Sequence, residues 1–258
     1  MNLLIDIGNT RTKWVLVNDG DSLPEVSVYF NRDDVILQLL EQAKCAQKIF
    51  ISNVAGEAAL QKMLDALVAT RASVHCVKTS VELDGVHNSY EAPQRLGVDR
   101  WLALIAANQI AQTHCLVVSM GTAITMDALI KDNNARASFI GGTIMPGMRM
   151  MQDALSHHTA DLSFTHGGFT QGDLQKFPKN TQDAIFSGCI NSVIGAIQLQ
   201  WQRLKNVAQT PPALLLSGGD ADLLVKNLSG DLLSYVNIVD NLVLRGLMRL
   251  ERLERDSA

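Results

Sequence analysis

The chain has 258 residues, 47% hydrophobic and 19% charged, which supplies a sizeable core and excludes a disordered chain. A net charge of -4 and a pI near 5.8 exclude the overall basic excess of a general nucleic-acid binder. Cys45, Cys76, Cys115 and Cys189 form neither a CxxC pair nor a zinc pattern; each sits in an apolar stretch, and all four are expected as small core residues in a reducing cytoplasm. No basic leader precedes an apolar run and no stretch is long and apolar enough to span a bilayer, so the expectation is a soluble cytoplasmic protein without membrane or nucleic-acid partners.

In chain order, LLIDI (3–7) and KWVLVN (13–18) read as two strands around a bend, and EVSVYF (25–30) as a third. Residues 33–46 carry helical spacing; 48–54 is a strand, 56–70 a helix and 73–78 a strand. The polar stretch 79–95 reads as loop, and 97–111 as a helix with Trp101, Leu102, Leu104 and Ile105 on its apolar face. The layout then begins again: strand 115–120, bend 121–123, strand 124–130, a turn, and strand 138–145. A helix follows over 146–158, an irregular loop over 160–180, one long helix or two over 181–207, strand–turn–helix over 213–228, strand 235–240 and helix 242–255. Each half thus opens β-bend-β-turn-β, and DIGNTRT (6–12) lies over SMGTAIT (119–125) with one residue gapped, which points to a duplicated architecture with lobes 1–112 and 113–258.

The two bends are candidates for binding. Gly8 and Gly121 let successive N–H groups converge on one ligand. Thr10, Thr12, Thr122 and Thr125 can donate to phosphate oxygens, and Lys13 adds a charge-assisted contact. An acid does not bind phosphate, so Asp6 makes sense facing Mg²⁺ that bridges to it. This reading puts Asp6 on a metal side and the hydroxyls with Lys13 on a phosphate side. GNT alone also fits a plain hairpin. There is no GxxxxGKS/T P-loop, no kinase HRD and DFG set, no GxGxxG between strand and helix and no GxSxG elbow. SGGDADLL (217–224) is either a backbone approach to a flat ligand through Gly218 and Gly219 or an ordinary turn with Asp220 as cap. In LGVDRW (96–101), Asp99 and Arg100 fit a base and an anion clamp, or a dipole-favoured acid beside a solvated arginine. At a helix start Asp99 is expected to be easily ionised and a weak base, which phosphoryl transfer tolerates. His157, His158 and His166 read as a solvated loop rather than a metal site.

Together these stretches resemble the type III pantothenate kinase family, whose motifs occur here in family order: DIGNT (Asp6–Thr10), YxxP (Tyr90 to Pro93), LGxDR (Leu96 to Arg100), GTAxTxD (Gly121 to Asp127), GGxIxPG (Gly141 to Gly147), NTxxAIxxG (Asn180 to Gly188) and GG at 218–219. The resemblance implies an α/β fold of two ribonuclease-H-like lobes, duplicated mixed sheets flanked by helices, with a nucleotide cleft between them. It implies phosphorylation of pantothenate by ATP, the first step toward coenzyme A, by a cytoplasmic homodimer. Carried over by position, Asp6, Ile7, Gly8, Asn9, Thr10, Arg11, Thr12 and Lys13 form the ATP-phosphate loop, with Asp6 toward Mg²⁺, and Thr122 contacts ATP from the second lobe. Asp99 accepts the proton of the pantothenate hydroxyl; Gly97, Val98, Asp99 and Arg100 line the pantothenate site with Tyr90 beside it, and Thr181 reaches pantothenate from the partner subunit. One position departs from the pattern. Where the family has an acid that holds potassium or ammonium, this chain has Ser119, whose neutral hydroxyl is a weaker ligand, so weaker dependence on a monovalent cation is expected. The alternatives are a kinase for another small hydroxylated substrate and a catalytically weak nucleotide-binding accessory regulator of the same fold.

Overall fold

A computed structural model describes residues 1–18, 20, 22–31, 33–134, 136–158, 172–228 and 230–256. In chain order the elements are β1 (Asn2–Ile7), β2 (Arg11–Val17), β3 (Ser27–Phe30), α1 (Asp33–Ala43), β4 (Lys48–Asn53), α2 (Glu57–Leu67), β5 (Ser73–Cys76), β6 (Glu82–Leu83), β7 (Val86–Asn88) and α3 (Val98–Ile110). They continue with β8 (Cys115–Met120), β9 (Ala123–Lys131), β10 (Ala137–Pro146), α4 (Met148–His158), α5 (Thr181–Ala208), β11 (Ala213–Gly218), α6 (Ala221–Val225), β12 (Val236–Ile238) and α7 (Leu242–Asp256), with 3-10 turns at Pro93–Arg95 and Gly230–Tyr235. The expected strands and helices form within a few residues, and 181–207 is one helix. His166 and most of the expected loop over 160–180 lie outside the described residues; 172–180 carry no regular structure.

The chain divides into two compact units: Met1–Gln112 with Lys131–Ile140 and Asn241–Ala258, and Thr113–Ile130 with Gly141–Asp240. The contiguous halves 1–112 and 113–258 differ from these units in two segments. Residues 137–139 of β10 pair in parallel with β7, and α7 packs on α3 and β1, so both segments join the first unit.

The first unit's sheet has the order β3-β2-β1-β4-β5, with β1 and β2 antiparallel and β4 and β5 parallel to β1. Alternation along the strands supplies two apolar faces. Leu3, Ile5, Ile7, Trp14, Ile49 and Ile51 pack with Leu39 of α1 and Met63 and Leu67 of α2. Leu4, Val15, Val17 and Phe50 pack with Val98 and Leu102 of α3 and Leu244 and Leu247 of α7. Asp6 and Lys13 share this second face, at the end of the strand pair nearest the bend. The second unit repeats the order as β12-β11-β8-β9-β10, with β8 and β9 antiparallel and β11 and β12 parallel to the first strand. Leu116, Val118, Met120, Ile124 and Met126 pack there against Phe186, Ile190, Val193 and Ile197 of α5.

Two expectations are corrected. Residues 82–88 are a hairpin rather than loop, turning at Asp84 (φ +50°) and Gly85 (φ +74°). The Asp84 carboxylate anchors it, accepting from Arg249 Nε at 2.8 Å and Nη2 at 2.6 Å and from Gln109 Nε2 at 2.7 Å. Of the cysteines, only Cys115 and Cys189 are buried. Cys76 lies on the sheet's edge strand and Cys45 just past the end of α1, so neither is covered.

The tightest crossing is α7 over α3. A Cβ at Gly246 would stand 2.2 Å from the Leu102 carbonyl oxygen. Alanine is the better helix former by about 1 kcal/mol, but here it must push two backbones apart. Gly246→Ala is therefore expected to lose about 2–3 kcal/mol net, read by urea unfolding; wild-type stability would contradict this packing.

Candidate active site

The first bend closes through Gly8 N donating to Arg11 O at 3.0 Å. Asn31, at the end of β3, braces it: Nδ2 donates to the carbonyls of Gly8 (2.8 Å) and Asn9 (3.2 Å), and Oδ1 accepts from Thr12 Oγ1 at 2.7 Å. Asn9, Thr10 and Arg11 are left at the exposed tip, with the Arg11 guanidinium 5.1 Å from the Phe30 ring centre. Ile7 is core, and Thr12 is only 4% exposed with its hydroxyl committed to Asn31. The expected grouping of Thr12 and Lys13 opposite Asp6 is corrected by the register. Ile7 pairs with Thr12 and Asp6 with Lys13, so Lys13 shares the face of Asp6 and Thr12 lies on the other.

Asp6 sits between Lys13 on β2 and Ser52 on β4, and Ser52 Oγ donates to its Oδ1 at 3.2 Å. Burial pushes its pKa from 3.8 up to about 6; Lys13 and the Ser52 hydrogen bond lower it, and the charge of Asp99 raises it further. Lys13 Nζ donates to Asn241 Oδ1 at 3.1 Å. A half-buried carboxylate with one side-chain hydrogen-bond donor gains from a divalent cation, so Asp6 fits a Mg²⁺ that takes few protein ligands. Among the described residues no cluster of three or more His, Cys, Asp or Glu suits an all-protein metal cage.

Asp99 lies in the first turn of α3, where Arg100 N donates to its Oδ1 at 2.8 Å. The expectation of an easily ionised acid is overturned: burial raises its pKa, outweighing the lowering by the Arg100 backbone hydrogen bond and the Arg100 charge. Asp99 is thus a better base than a surface carboxylate. Its oxygen lies 2.6 Å from where a Cβ of residue 97 would be, so Gly97 makes room for it. Arg100 is 6% exposed rather than solvated, and its guanidinium carbon is 5.8 Å from the ring centres of both Tyr90 and Phe139, which stack on each other. Val98 is buried in the core beneath. The first unit therefore brings together Asp6, Lys13 and Asp99, and holds Tyr90 beside Arg100.

In the second unit the bend is one residue shorter. Gly121 N donates to Ala123 O at 3.1 Å, leaving Thr122 exposed. Gly147 N donates to Thr122 O at 3.0 Å, and a Cβ there would fall 2.4 Å from Gly121 O and 2.5 Å from Thr122 O. Gly218 (φ +111°) would set a Cβ 2.0 Å from Met120 O, so the close approach of β11 to β8 by itself requires this glycine. Ser119 lies in register between Ser217 and Thr125. Thr125 is 9% exposed, and its hydroxyl has no hydrogen-bond partner. Three neutral hydroxyls are poorer ligands for a monovalent cation than a row containing a carboxylate; the buried acid on this face, Asp127 (2% exposed), stands two residues beyond Thr125 on β9 and outside the row.

Thr181 is exposed at the start of α5. Asp183, which the sequence reading passed over, ties the preceding segment to this turn: Oδ1 accepts from Asp173 N at 2.8 Å and Oδ2 from Asn180 Nδ2 at 2.7 Å.

Two of the solved structures with a similar fold cover nearly the full chain. One is a Campylobacter jejuni protein provisionally assigned to the Baf family of transcriptional activators (TM-score 0.59, 23% identity, 98% of this chain and 99% of that one). The other is a Sinorhizobium meliloti protein provisionally described as a 2-dehydro-3-deoxygalactonokinase (TM-score 0.55, 13% identity, 98% and 96%). At these identities the likeness shows the fold alone. The family is given by sequence: the type III pantothenate kinase model matches residues 2–203. Proteins of that name from Thiobacillus denitrificans (38% identity; 97% of this chain and 96% of that one) and Methylobacillus flagellatus (39%; 97% and 97%) match as well. The chain belongs to the type III pantothenate kinase family.

The raised pKa of Asp6 has a sign that can be tested. A carboxyl held at about 6 in the fold contributes stability that is present below 3.8 and lost as pH rises through 6. Asp6→Asn is expected to be more stable than wild type at pH 7.5, by up to about 3 kcal/mol, with the gain fading toward pH 4. Denaturant unfolding across that range checks it; a loss of stability at pH 7.5 would contradict the assignment.

Proposed function

We propose that the protein transfers the γ-phosphoryl group of ATP to the 4′-hydroxyl of pantothenate, giving ADP and 4′-phosphopantothenate, the first step of coenzyme A synthesis. The observation that carries this reading is Asp99, made more basic by burial and close enough to the Asp6–Lys13 pair to shift the Asp6 pKa, in a chain of this family. The new bond joins the substrate oxygen to the γ-phosphorus, and the bond from that phosphorus to the bridging oxygen of ADP breaks. The hydroxyl proton passes to Asp99. Backbone N–H groups of the Gly8–Arg11 bend and the Lys13 ammonium bind the phosphates, and Thr122 contacts ATP from its own bend. Mg²⁺, held on the protein side by Asp6, would neutralise charge developing on the phosphates. Arg100, kept in place by Tyr90 and Phe139, binds the pantothenate carboxylate.

Thr181 is read as a pantothenate contact given to a partner subunit in a homodimer. An apolar groove between α4 and α5, lined by Met151, Leu155, Ile185 and Cys189, opens beside it and supports that reading. Among the described residues no helix is long and apolar enough to cross a membrane.

Purified protein with ATP, Mg²⁺ and pantothenate is expected to yield phosphopantothenate; a folded protein that yields none under varied cations ends the proposal. Asp99→Asn should lower kcat by roughly 10²–10⁴ while keeping the fold and ADP binding, and wild-type turnover would remove Asp99 from the chemistry. Because the row around Ser119 is neutral, replacing sodium by potassium or ammonium is expected to raise the rate less than about threefold. Strong saturable activation by potassium would overturn that expectation.

A further inference from the structure

Asn241 is the first residue of the segment with which the chain re-enters the first unit, immediately before α7. Its backbone is left-handed (φ +55°), a conformation asparagine tolerates better than most residues. Its carbonyl oxygen accepts from Arg245 N at 3.0 Å, and its side chain reaches across 228 residues of sequence to accept from Lys13 Nζ at 3.1 Å. An ammonium only donates, so the amide must turn its oxygen to the lysine. On the same sheet face Asp6 lies opposite Lys13 and already supplies a negative partner.

We infer that Asn241 is a positioning residue for the phosphate-binding lysine: its neutral amide oxygen fixes where Lys13 Nζ lies without spending the charge that nucleotide phosphate needs. The inference rests on the reading of Lys13 as a phosphate contact. The choice of side chain follows from the chemistry. Aspartate would meet the same backbone conformation and offer the same acceptor. Together with Asp6, however, it would place two carboxylates on one ammonium and turn the local potential against an anion. An apolar residue would leave the lysine amine free to swing, so binding phosphate would have to order it. Asparagine tethers the amine and leaves two of its three N–H groups for the ligand.

The test is a double-mutant cycle on MgADP affinity by calorimetry, with melting temperature and the KM values for ATP and pantothenate alongside. Asn241→Gly keeps the left-handed backbone and removes only the side chain. It is expected to weaken MgADP binding roughly fivefold to tenfold, raise the ATP KM to match, and leave the pantothenate KM within about twofold. Asn241→Asp is expected to weaken MgADP at least as much despite unimpaired folding, with a loss that shrinks as salt is raised. In a Lys13→Met background, Asn241→Gly should have no further effect on MgADP affinity. Additive losses in the cycle, equal effects on both KM values, or wild-type affinity in Asn241→Asp would each overturn the inference. If the wild type binds MgADP but phosphorylates no pantothenate, the kinase reading fails while the cycle still decides the role of Asn241. If it binds no MgADP, both fall.

Discussion

The opposition of Asp6 and Lys13 across the first hairpin is the constraint around which the first unit is arranged. A carboxylate on the inner face of a sheet is costly to ionise, and the lysine opposite offsets only part of that cost. The hairpin holds the pair by register, since a four-residue bend from Gly8 to Arg11 makes residues 6 and 13 partners. A slip of one residue would send Lys13 to the face packed by α1 and α2, among Leu39 and Met63, and carry Trp14 off it. The other face is covered by α3 and α7, and each delivers one polar group to the pair's neighbourhood: Asp99 from the start of α3, and Asn241 from just before α7. The same packing that buries Leu4 and Phe50 therefore raises the basicity of the two acids. Core formation and site chemistry are one event here.

Much of this was legible in the sequence. Period-two alternation marked the strands, the two bends marked the duplication, and the one-residue gap between them is real: the first loop spans 8–11 and the second 121–123. The β6–β7 hairpin escaped because two- and three-residue strands cannot display a period, although the Asp84-Gly85 dipeptide is a turn signal in its own right. Asp6, Lys13, Asp99 and Arg100 stood out by residue type within two short stretches, and the motif resemblance then gave them roles. Their partners did not stand out. Asn31 and Asn241 act on residues 19 and 228 positions away, and no local pattern announces an asparagine that braces a distant loop. The basicity of Asp99 was misjudged for a related reason. A helix start is visible in sequence, whereas the burial that overrides it depends on what packs above.

The two bends solve one geometric problem with different chemistry. The first is braced by a side chain, Asn31, and has a charged row, Ser52–Asp6–Lys13, beneath it. The second is backed by the main chain of Gly147 and has a neutral row, Ser217–Ser119–Thr125. Duplication has kept the strand order and the turn, while an acid and a lysine paired directly across the bend occur in the first copy and the buried acid of the second, Asp127, lies further from its bend. The exposed tip of the second bend offers backbone dipoles and the Thr122 hydroxyl, which act at short range and are weakly affected by salt.

The return of α7 to the first unit bears on how the protein is made. Asn2 Nδ2 donates to Glu251 Oε1 at 2.7 Å, a contact 249 residues apart in the chain. As the ribosome extends the chain, β1, β2 and β4 emerge early, and Val98 and Leu102 of α3 cover part of the face bearing Leu4, Val15 and Phe50, but the rest waits until Leu244 and Leu247 emerge. The nascent chain therefore carries a partly covered apolar sheet face until α7 is made. Such a surface invites holding by chaperones and penalises pausing late in synthesis, because long-range closure has to wait for the last helix.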